Sequence, residues 1–275
     1  MAGIARIYRY PIKGLSAEPL HAVELTSGEG VPLDRKFALA RPDAPFDPER
    51  PAWLPKKRFL MLMTDERLAT LRVAYDDAKG RLTIDQGGER VLDADLRSSA
   101  GRAAVEQFFE AFMGAELRGR PRLVSAPGHM FTDNPTKYVS LINLASVAEI
   151  ERRVGQRVDP LRFRANLYVE NLPPWAEFDW VGRELSAGDV RFRVAERIDR
   201  CAATNVEPGS GRRDLNLPLT LRQTYGHIDC GVLLRVERGG TVRLGQTLAP
   251  GEGDPADGAA DGAENSALRR AARFR

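Results

Sequence analysis

Cysteine and histidine are the scarcest reactive residues of this 275-residue chain, which has two cysteines and three histidines. Two cysteines are too few for a disulfide framework, so free thiols in a reducing compartment are expected. There is no CxxC pair, no HExxH helix and no cluster of histidines, so the sequence offers no tetrahedral zinc site. Any reactive thiol or soft-metal ligand must therefore be sought at Cys201 or Cys230.

Long apolar runs and blocks of one charge are also missing. No run approaches the ~20 residues of a membrane helix, and the opening MAGIARIYRYPIKG lacks the apolar segment and cleavage site of a secretory signal. The 41 Lys and Arg residues alternate with 38 Asp and Glu residues, which leaves a net charge of +3 without a basic block for nucleic acid. We expect a cytoplasmic protein with no membrane span and no nucleic-acid partner.

Common nucleotide and hydrolase signatures are absent as well. The chain has no GxGxxG after a strand, no GxxxxGK[ST] and no GxSxG, and its strands and helices do not alternate regularly. These absences argue against a dinucleotide-binding sheet, a phosphate-binding loop and a serine hydrolase.

Short segments rich in β-branched and aromatic residues dominate the chain. In the segment 190–198, Val190, Phe192 and Val194 alternate with arginines, which is typical of a half-buried strand. Strands are predicted at residues 4–10, 36–40, 58–63, 81–85, 137–142, 166–170, 190–198 and 230–237. Helices are predicted at residues 65–73, 101–113 and 144–154, with a short fourth within 214–224. Many strands with few helices favour a mainly β protein with α/β decoration, built on a barrel or sandwich core.

Composition also predicts the domain organisation. A boundary is expected near residues 114–125, after the phenylalanine-rich helix. Residues 1–115 would then form an N-terminal β-rich region and residues 116–249 a second β domain. Residues 250–275, rich in Gly, Ala and Asp, are expected to form a disordered or loosely docked tail.

Cys201 lies in the stretch IDRCAATNVEPGSGRRDLN, directly after a cation and before a turn-rich loop. A guanidinium beside a thiol at a strand end favours the thiolate, which attacks electrophiles or binds soft metals. The alternative is a buried cysteine that packs as a small hydrophobe. No histidine stands in a nucleophile signature. A metal at Cys201 would therefore be one that a cofactor carries, with the cysteine as its single protein ligand.

Four segments in order resemble one family. RCAATNVEPGSGRRD resembles the cysteine segment of the MOSC superfamily, the C-terminal domain of molybdenum cofactor sulfurases. IYRYPIKGLSAEPL resembles the Y-P-[IV]-K opening of the N-terminal region that accompanies it. PLDRKFALA and FRANLYVE are similar to the family's D-R-x-[FW] and F-R-[PA]-N elements. The chain is thus identified as similar to the mitochondrial amidoxime-reducing component and to bacterial reductases of N-hydroxylated compounds.

The resemblance implies a MOSC-type β-barrel over residues 116–249, preceded by a MOSC-associated mixed β region. It also implies a molybdopterin-type molybdenum cofactor, with Cys201 as catalytic residue and metal ligand. The residues that the resemblance places at the cofactor are Lys13, Arg35, Asn143, Arg164, Asn166 and Arg200. Such a set agrees with phosphate recognition, which uses arginine forks, a lysine charge and helix N-termini. Relatives commonly follow the lysine with serine, so Gly14 removes one hydroxyl contact.

Three functions remain open from the sequence. The leading hypothesis is a molybdenum-cofactor oxidoreductase that reduces N- or S-oxygenated small molecules with electrons from a separate donor protein. The second is a sulfur carrier, with a persulfide on Cys201, or a cofactor-handling protein without turnover. The third is a non-catalytic barrel with an inert cysteine. Cys230 begins an apolar run and is expected in the core, whereas His227 and Asp229 could line a substrate pocket.

Overall fold

The computed structural model describes residues 1–251, so all but the first two residues of the tail predicted for residues 250–275 lie outside the described residues. The described part is mainly β, with three α-helices and several short 3-10 helices. Its strands are β1 (Ala2–Arg9), β2 (Glu18–Leu20), β3 (Ala22–Leu25), β4 (Ala38–Ala40), β5 (Leu71–Asp76), β6 (Arg81–Gln86), β7 (Glu89–Asp95), β8 (Arg122–Val124), β9 (Val139–Asn143), β10 (Leu167–Glu170), β11 (Glu184–Ala187), β12 (Val190–Asp199), β13 (Asp229–Arg238), β14 (Gly240–Arg243) and β15 (Thr247–Pro250). Its α-helices are α1 (Ser99–Met113), α2 (Leu144–Val154) and α3 (Leu217–Tyr225).

Seven strands close into a barrel. Their order is β10-β9-β13-β12-β11-β15-β1, and β1 pairs back onto β10. β9 and β10 are parallel neighbours, whereas the other pairings around the barrel are antiparallel. The inward residues of β12 and β13, such as Phe192, Val194 and Leu234, are fully buried in one aliphatic core. The predicted barrel core and mainly β class are therefore confirmed.

The N-terminal part of the chain adds a second core. The antiparallel sheet β5-β6-β7 packs with α1, and their buried side chains include Leu82, Ile84, Val105 and Phe109. β1, however, belongs to the barrel, and β3 pairs with β14 near the end of the described chain. The two regions are thus joined through shared sheets, and the boundary between residues 115 and 116 stays a prediction.

Local capping explains the helices that the sequence predicted. The Ser98 hydroxyl accepts from the Gly101 amide at the start of α1, and the Asn143 side chain accepts from Ala145 at the start of α2. α2 ends at Gly155 in the left-handed conformation that favours glycine. The helices predicted at 101–113 and 144–154 are confirmed, and the fourth is α3.

Two predicted elements are wrong. Instead of a helix over 65–73, the chain forms a 3-10 turn at Glu66–Thr70 and then β5, where buried and exposed residues alternate. Instead of a strand over 58–63, it forms a 3-10 turn at Lys56–Arg58 and one bridge at Phe59. There the Asp65 carboxylate accepts from the Met61 amide, and this local bond fixes a turn in place of a ladder.

The longest strand pair, β12 and β13, leads directly into the cysteine segment. β12 and β13 pair antiparallel with three register shifts, and Arg200 continues the pairing by donating its amide to the Ile228 carbonyl at 2.9 Å. The chain therefore leaves the barrel at one end with Arg200 and Cys201 side by side. No helix within residues 1–251 is long and apolar enough to cross a bilayer.

Candidate functional site

Cys201 is a free, half-buried thiol at the start of a turn. It adopts an extended backbone and precedes the 3-10 helix Ala202–Asn205. Its carbonyl accepts from the Thr204 amide at 3.1 Å and from the Thr204 hydroxyl at 2.9 Å. Desolvation alone would lower the pKa of Lys56, but Asp133 and Cys201 together raise it, so the Cys201 side chain interacts with this ammonium. The sulfur is therefore held near a cation at the surface of the molecule.

A carboxylate links two lysines beside this cysteine. The Asp133 carboxylate accepts from Lys13 at 2.5 Å and lies 3.2 Å from the Lys56 ammonium. Lys13 is only 6% exposed, and its ammonium also donates to the Phe131 carbonyl at 3.0 Å. Desolvation by itself would raise the pKa of Asp133, but the two ammonium groups hold that pKa well below its usual range. Burial also lowers the pKa of Lys13 despite this partner.

Two arginines from distant segments meet at the Tyr10 ring. Their guanidinium carbons lie 4.7 Å (Arg35) and 4.4 Å (Arg164) from the ring centroid. Arg35 donates to the Arg164 carbonyl at 3.0 Å and pairs with the Asp34 carboxylate. Arg164 donates to the Leu15 carbonyl at 2.7 Å. Both arginines have positive φ, a conformation that side chains rarely adopt and that only a well-packed site maintains.

Arg200 lies on the inner side of the cysteine segment. Its guanidinium donates to the Cys230 carbonyl through two nitrogens, one of them at 2.8 Å, and to the Phe163 carbonyl at 3.0 Å. Gly231 makes this approach possible, because a Cβ there would lie 3.2 Å from the guanidinium and 2.3 Å from the Leu141 carbonyl oxygen. Arg200 thus joins the two strand ends that carry the cysteines.

The site has an excess of buried positive charge. Burial lowers the pKa of Arg164 and of Arg200. Within residues 1–251, neither guanidinium forms an ion pair with a carboxylate, and the described hydrogen bonds of both go to neutral carbonyls. Desolvated cations without anionic partners are costly. A bound phosphate or other multiply charged anion would offset that cost, so the residues present fit an anionic cofactor.

The two predicted asparagines have other partners. Asn143 is fully buried, caps α2 and donates to the Glu177 carboxylate at 3.0 Å. Asn166 accepts from Ser140 and donates to the Tyr8 carbonyl at 3.2 Å, which ties β9, β10 and β1 together. The structure therefore places Lys13 at Asp133, brings Arg35 and Arg164 together at Tyr10, and binds Arg200 to the Cys230 carbonyl. It uses both asparagine side chains to hold the barrel. A cofactor contact for either asparagine stays a prediction.

Gly14 has a steric reason to be glycine. It has φ +83°, and a Cβ there would lie 2.9 Å from the Leu60 carbonyl oxygen. The serine of relatives would be strained in this backbone conformation. The missing hydroxyl therefore reflects the local backbone path next to Lys13.

Three residues of the site escaped sequence reasoning. Lys56 lies in the basic run PKKR, Asp133 in the turn-like TDNP, and Tyr10 directly before Pro11. The first two look like solvated loop charges. Tyr10 lies in the segment IYRYPIKGLSAEPL, three positions before Lys13. This position is the sequence signal that could have identified it. Burial raises the pKa of Tyr10 to about 12, which keeps it neutral between the two arginines.

The remaining candidates lie outside this cluster. Cys230 is fully buried among the side chains that pack α2 and α3, as predicted, and burial raises its pKa to about 12. His227 packs against Trp175, Phe178 and Tyr225, and its Nδ1 accepts from the Asp229 amide at 3.1 Å. A substrate role for His227 or Asp229 stays a prediction. Within residues 1–251, no three His, Cys, Asp or Glu side chains are grouped to hold a metal.

Comparison with curated proteins gives two kinds of relative. A molybdenum cofactor sulfurase from Caenorhabditis briggsae is 24% identical over 80% of this chain, which spans 31% of that protein. Its counterpart from Caenorhabditis elegans is 25% identical, again over 31% of its length. Human mitochondrial amidoxime-reducing component 1 is 23% identical over 89% of this chain and 82% of its own. The chain thus spans about a third of the nematode relatives and most of the human one.

One solved structure and two family models also match this chain. The YUAD protein from Bacillus subtilis superposes on 90% of this chain and 94% of its own, with a TM-score of 0.43 and 13% identity. The model of the MOSC N-terminal beta barrel domain matches residues 1–120, and that of the MOSC domain matches residues 128–249. Together the two models account for nearly all of the described residues, and the protein is a member of the MOSC-domain family.

Proposed function

We propose that this protein binds a molybdenum cofactor through Cys201 and reduces N- or S-oxygenated small molecules with electrons from a separate donor protein. The observation that supports this most is the grouping of Lys13 and Lys56 at Asp133 and of Arg35 and Arg164 at Tyr10. The half-buried Cys201 interacts with Lys56 of this cationic group. Two observations agree with it: the free thiol beside an ammonium and the absence of a carboxylate ion pair at Arg164 among residues 1–251.

The cysteine and the cations of the site would have different tasks. Cys201 would present its sulfur to the metal, a donor type that suits soft metals. Lys13, Lys56, Arg35 and Arg164 would bind the anionic part of the cofactor, with forks or point charges suited to phosphate. When bound, the cofactor supplies two-electron chemistry that protein side chains cannot perform.

The rest of the site orients and protects these groups. Tyr10 offers its ring to both arginines and stays neutral, so it adds packing without a competing negative charge. Asp133, with 56% of its side chain exposed, pairs with both lysines and holds their ammonium groups close together.

The overall reaction balances without further groups. Two electrons and two protons convert an N–OH group into N–H and water, or an S-oxide into a sulfide and water. The donor protein would supply the electrons, and solvent the protons. The names of the relatives support this class of substrate, since human mitochondrial amidoxime-reducing component 1 matches most of its length to this chain.

The test is molybdenum content after expression in a host that makes the cofactor. The wild-type protein should contain close to one molybdenum per chain and reduce an amidoxime with a chemical reductant. Cys201→Ala should lose molybdenum at least about tenfold, as loss of a metal ligand predicts. Cys230→Ala is the matched control, because it removes the other thiol from a buried site, and it should keep its molybdenum.

Two outcomes would contradict the proposal. The first is a Cys201→Ala protein that retains wild-type molybdenum and activity. The second is a metal-free wild-type protein whose intact mass is raised by ~32 Da at Cys201, since one extra sulfur indicates a persulfide. That result would favour the sulfur-carrier function, which agrees with the named sulfurase relatives.

A further inference from the structure

The turn after Cys201 is held by arginines that lie outside it. Three of its carbonyls, those of Ala202, Thr204 and Asn205, accept hydrogen bonds from these arginines. Arg213 donates to the Ala202 carbonyl at 3.2 Å, and Arg162 donates to the Asn205 carbonyl at 3.0 Å and to that of Thr204 at 3.5 Å. Such a turn would ordinarily be satisfied by water, so these contacts are a feature to be explained.

Arg162 is the more unusual of the two. Its side chain is only 1% exposed, and its Nη2 alone donates to both carboxylate oxygens of Asp214, at 2.7 and 2.8 Å. Its Nε is buried with no hydrogen-bond partner. An arginine held this way is expensive to bury. Its Nη1 binds the turn carbonyls while its Nη2 binds Asp214, so one guanidinium links the two.

Both flanks of Cys201 are anchored to the same short helix, Pro160–Phe163. Before the cysteine, Arg200 donates to the Phe163 carbonyl at 3.0 Å. After it, Arg162 of the same helix grips Thr204 and Asn205. The chain is therefore bound to the same short helix both before and after the cysteine.

Asp214, the ion-pair partner of Arg162, comes from the segment that follows the cysteine. Val206 forms a bridge with Arg213, and the Glu207 amide donates to the Arg212 carbonyl at 2.8 Å, so residues 206–214 fold back on themselves. This fold returns Asp214 to Arg162. The segment EPGSGRRD thus contributes a carboxylate to the cysteine turn and not a ligand to the site.

We propose that Arg162, held by Asp214, is a positioning residue that keeps the Cys201 sulfur directed towards Lys56 and the basic cluster. The use of that sulfur as a metal ligand rests on the proposed function. The positioning itself concerns the protein alone and can be measured without molybdenum.

The experiment follows alkylation of both cysteines by iodoacetamide in metal-free protein, using peptide mass spectrometry. Asp214→Asn keeps the shape but removes the charge that holds Arg162, and Arg162→Lys keeps the charge but removes the fork. Each should raise the alkylation rate of half-buried Cys201 about tenfold, because a charge-assisted bond closing the turn is lost. Asp214→Glu should return the rate towards wild type.

Cys230 reports the state of the fold in the same sample. It is fully buried, so it should stay unreactive if only the turn has loosened. The control is another arginine–aspartate ion pair, Arg81 with Asp93, which joins two strands of an exposed hairpin far from Cys201 in the chain. Asp93→Asn should leave both rates unchanged. The inference is overturned if Cys201 reacts within about twofold of wild type in both variants, or if Cys230 accelerates in parallel. If molybdenum binding fails in the wild type, this result still stands by itself.

Discussion

The two cysteines lie 29 positions apart in sequence and meet around one arginine. Arg200 precedes Cys201 and donates to the carbonyl of Cys230. Cys230 is 0% exposed and faces the side chains that pack α2 and α3. Cys201 is half-buried, begins a turn and lies beside Lys56.

The comparison teaches that surroundings, and not residue type, decide what a thiol can do. Around Cys230 the protein offers aliphatic packing, and burial raises the pKa of that thiol to about 12. Around Cys201 it offers cations and an opening to solvent, which is where a thiolate is useful. Both environments lie at the same end of one strand pair, where its register shifts between Arg197 and Asp199.

The largest expected difference is in thiol reactivity. In native protein at pH 8, Cys201 should react with iodoacetamide at least about a thousandfold faster than Cys230, because the buried thiol is almost wholly protonated and unreachable. Peptide mass spectrometry of a time course gives both rates. In guanidinium chloride the two rates should converge. Comparable native rates would mean that Cys230 is not sealed, and the comparison would fail.

The strands and helices of these regions were predictable to different degrees. The strand at 190–198 was found because Val190, Phe192 and Val194 alternate with arginines, and α2 because Asn143 and Gly155 mark its ends. β5 was mistaken for part of a helix. Leu68 and Leu71 are three positions apart, which fits a helix, and the alternation that defines the strand begins only at Leu71.

The site was predictable only where a motif named its residues. Lys13, Arg35 and Arg164 were found by resemblance, and the structure brings them together. Asp133 and Lys56 were missed, because their approach to Lys13 and Cys201 joins loops far apart in sequence. Nothing in a short window encodes such a contact, since tertiary packing of the two regions creates it.

Gly231→Ala should have the second-largest effect. At φ +81° the new Cβ would lie 2.3 Å from the Leu141 carbonyl oxygen and 2.6 Å from an Ile142 methyl group. Strain and overlap with backbone should together cost about 3–5 kcal/mol of unfolding free energy. Thermal unfolding would show this as a fall in Tm of about 10 °C.

A matched glycine separates overlap from backbone conformation. Gly155 also has positive φ, at +72°, but nothing lies within 4 Å of its Cβ position. Gly155→Ala should therefore cost only about 1 kcal/mol. Equal losses in the two variants would show that overlap of the new Cβ with its neighbours adds nothing to the cost at Gly231.

Arg200→Lys should cost less, about 2 kcal/mol, because lysine cannot reach the Cys230 and Phe163 carbonyls together and leaves a buried acceptor unpaired. Denaturant unfolding measures the loss. Arg152→Lys, on the exposed face of α2, is the control and should change stability by less than about 0.5 kcal/mol. A neutral Arg200→Lys would remove the link between the two cysteine segments.

The smallest effect should be a pH dependence on the buried side of the comparison. Glu177 is fully buried next to the Cys230 region and accepts from Asn143 at 3.0 Å and from the Ser146 hydroxyl at 2.8 Å. Burial raises the pKa of Glu177 above its ordinary value of 4.5, although these donors partly oppose it. The folded state therefore keeps this proton after the unfolded chain has lost it.

The sign of the effect follows from proton linkage. Where the folded state binds more protons, stability falls as pH rises, so Glu177 contributes fully below its ordinary pKa and loses that contribution as pH rises through the raised value. Glu177→Gln cannot ionise, so its stability relative to wild type should improve over the same range. Guanidinium titrations of both proteins between pH 4 and 8 would measure this, with all other groups cancelling in the difference. A constant difference would mean that Glu177 ionises in the fold as readily as in the unfolded chain, and a declining one that it ionises more readily there. In that case the buried region around Cys230 could hold a charge as the region around Cys201 does. Burial alone would then not explain the difference between the two thiols.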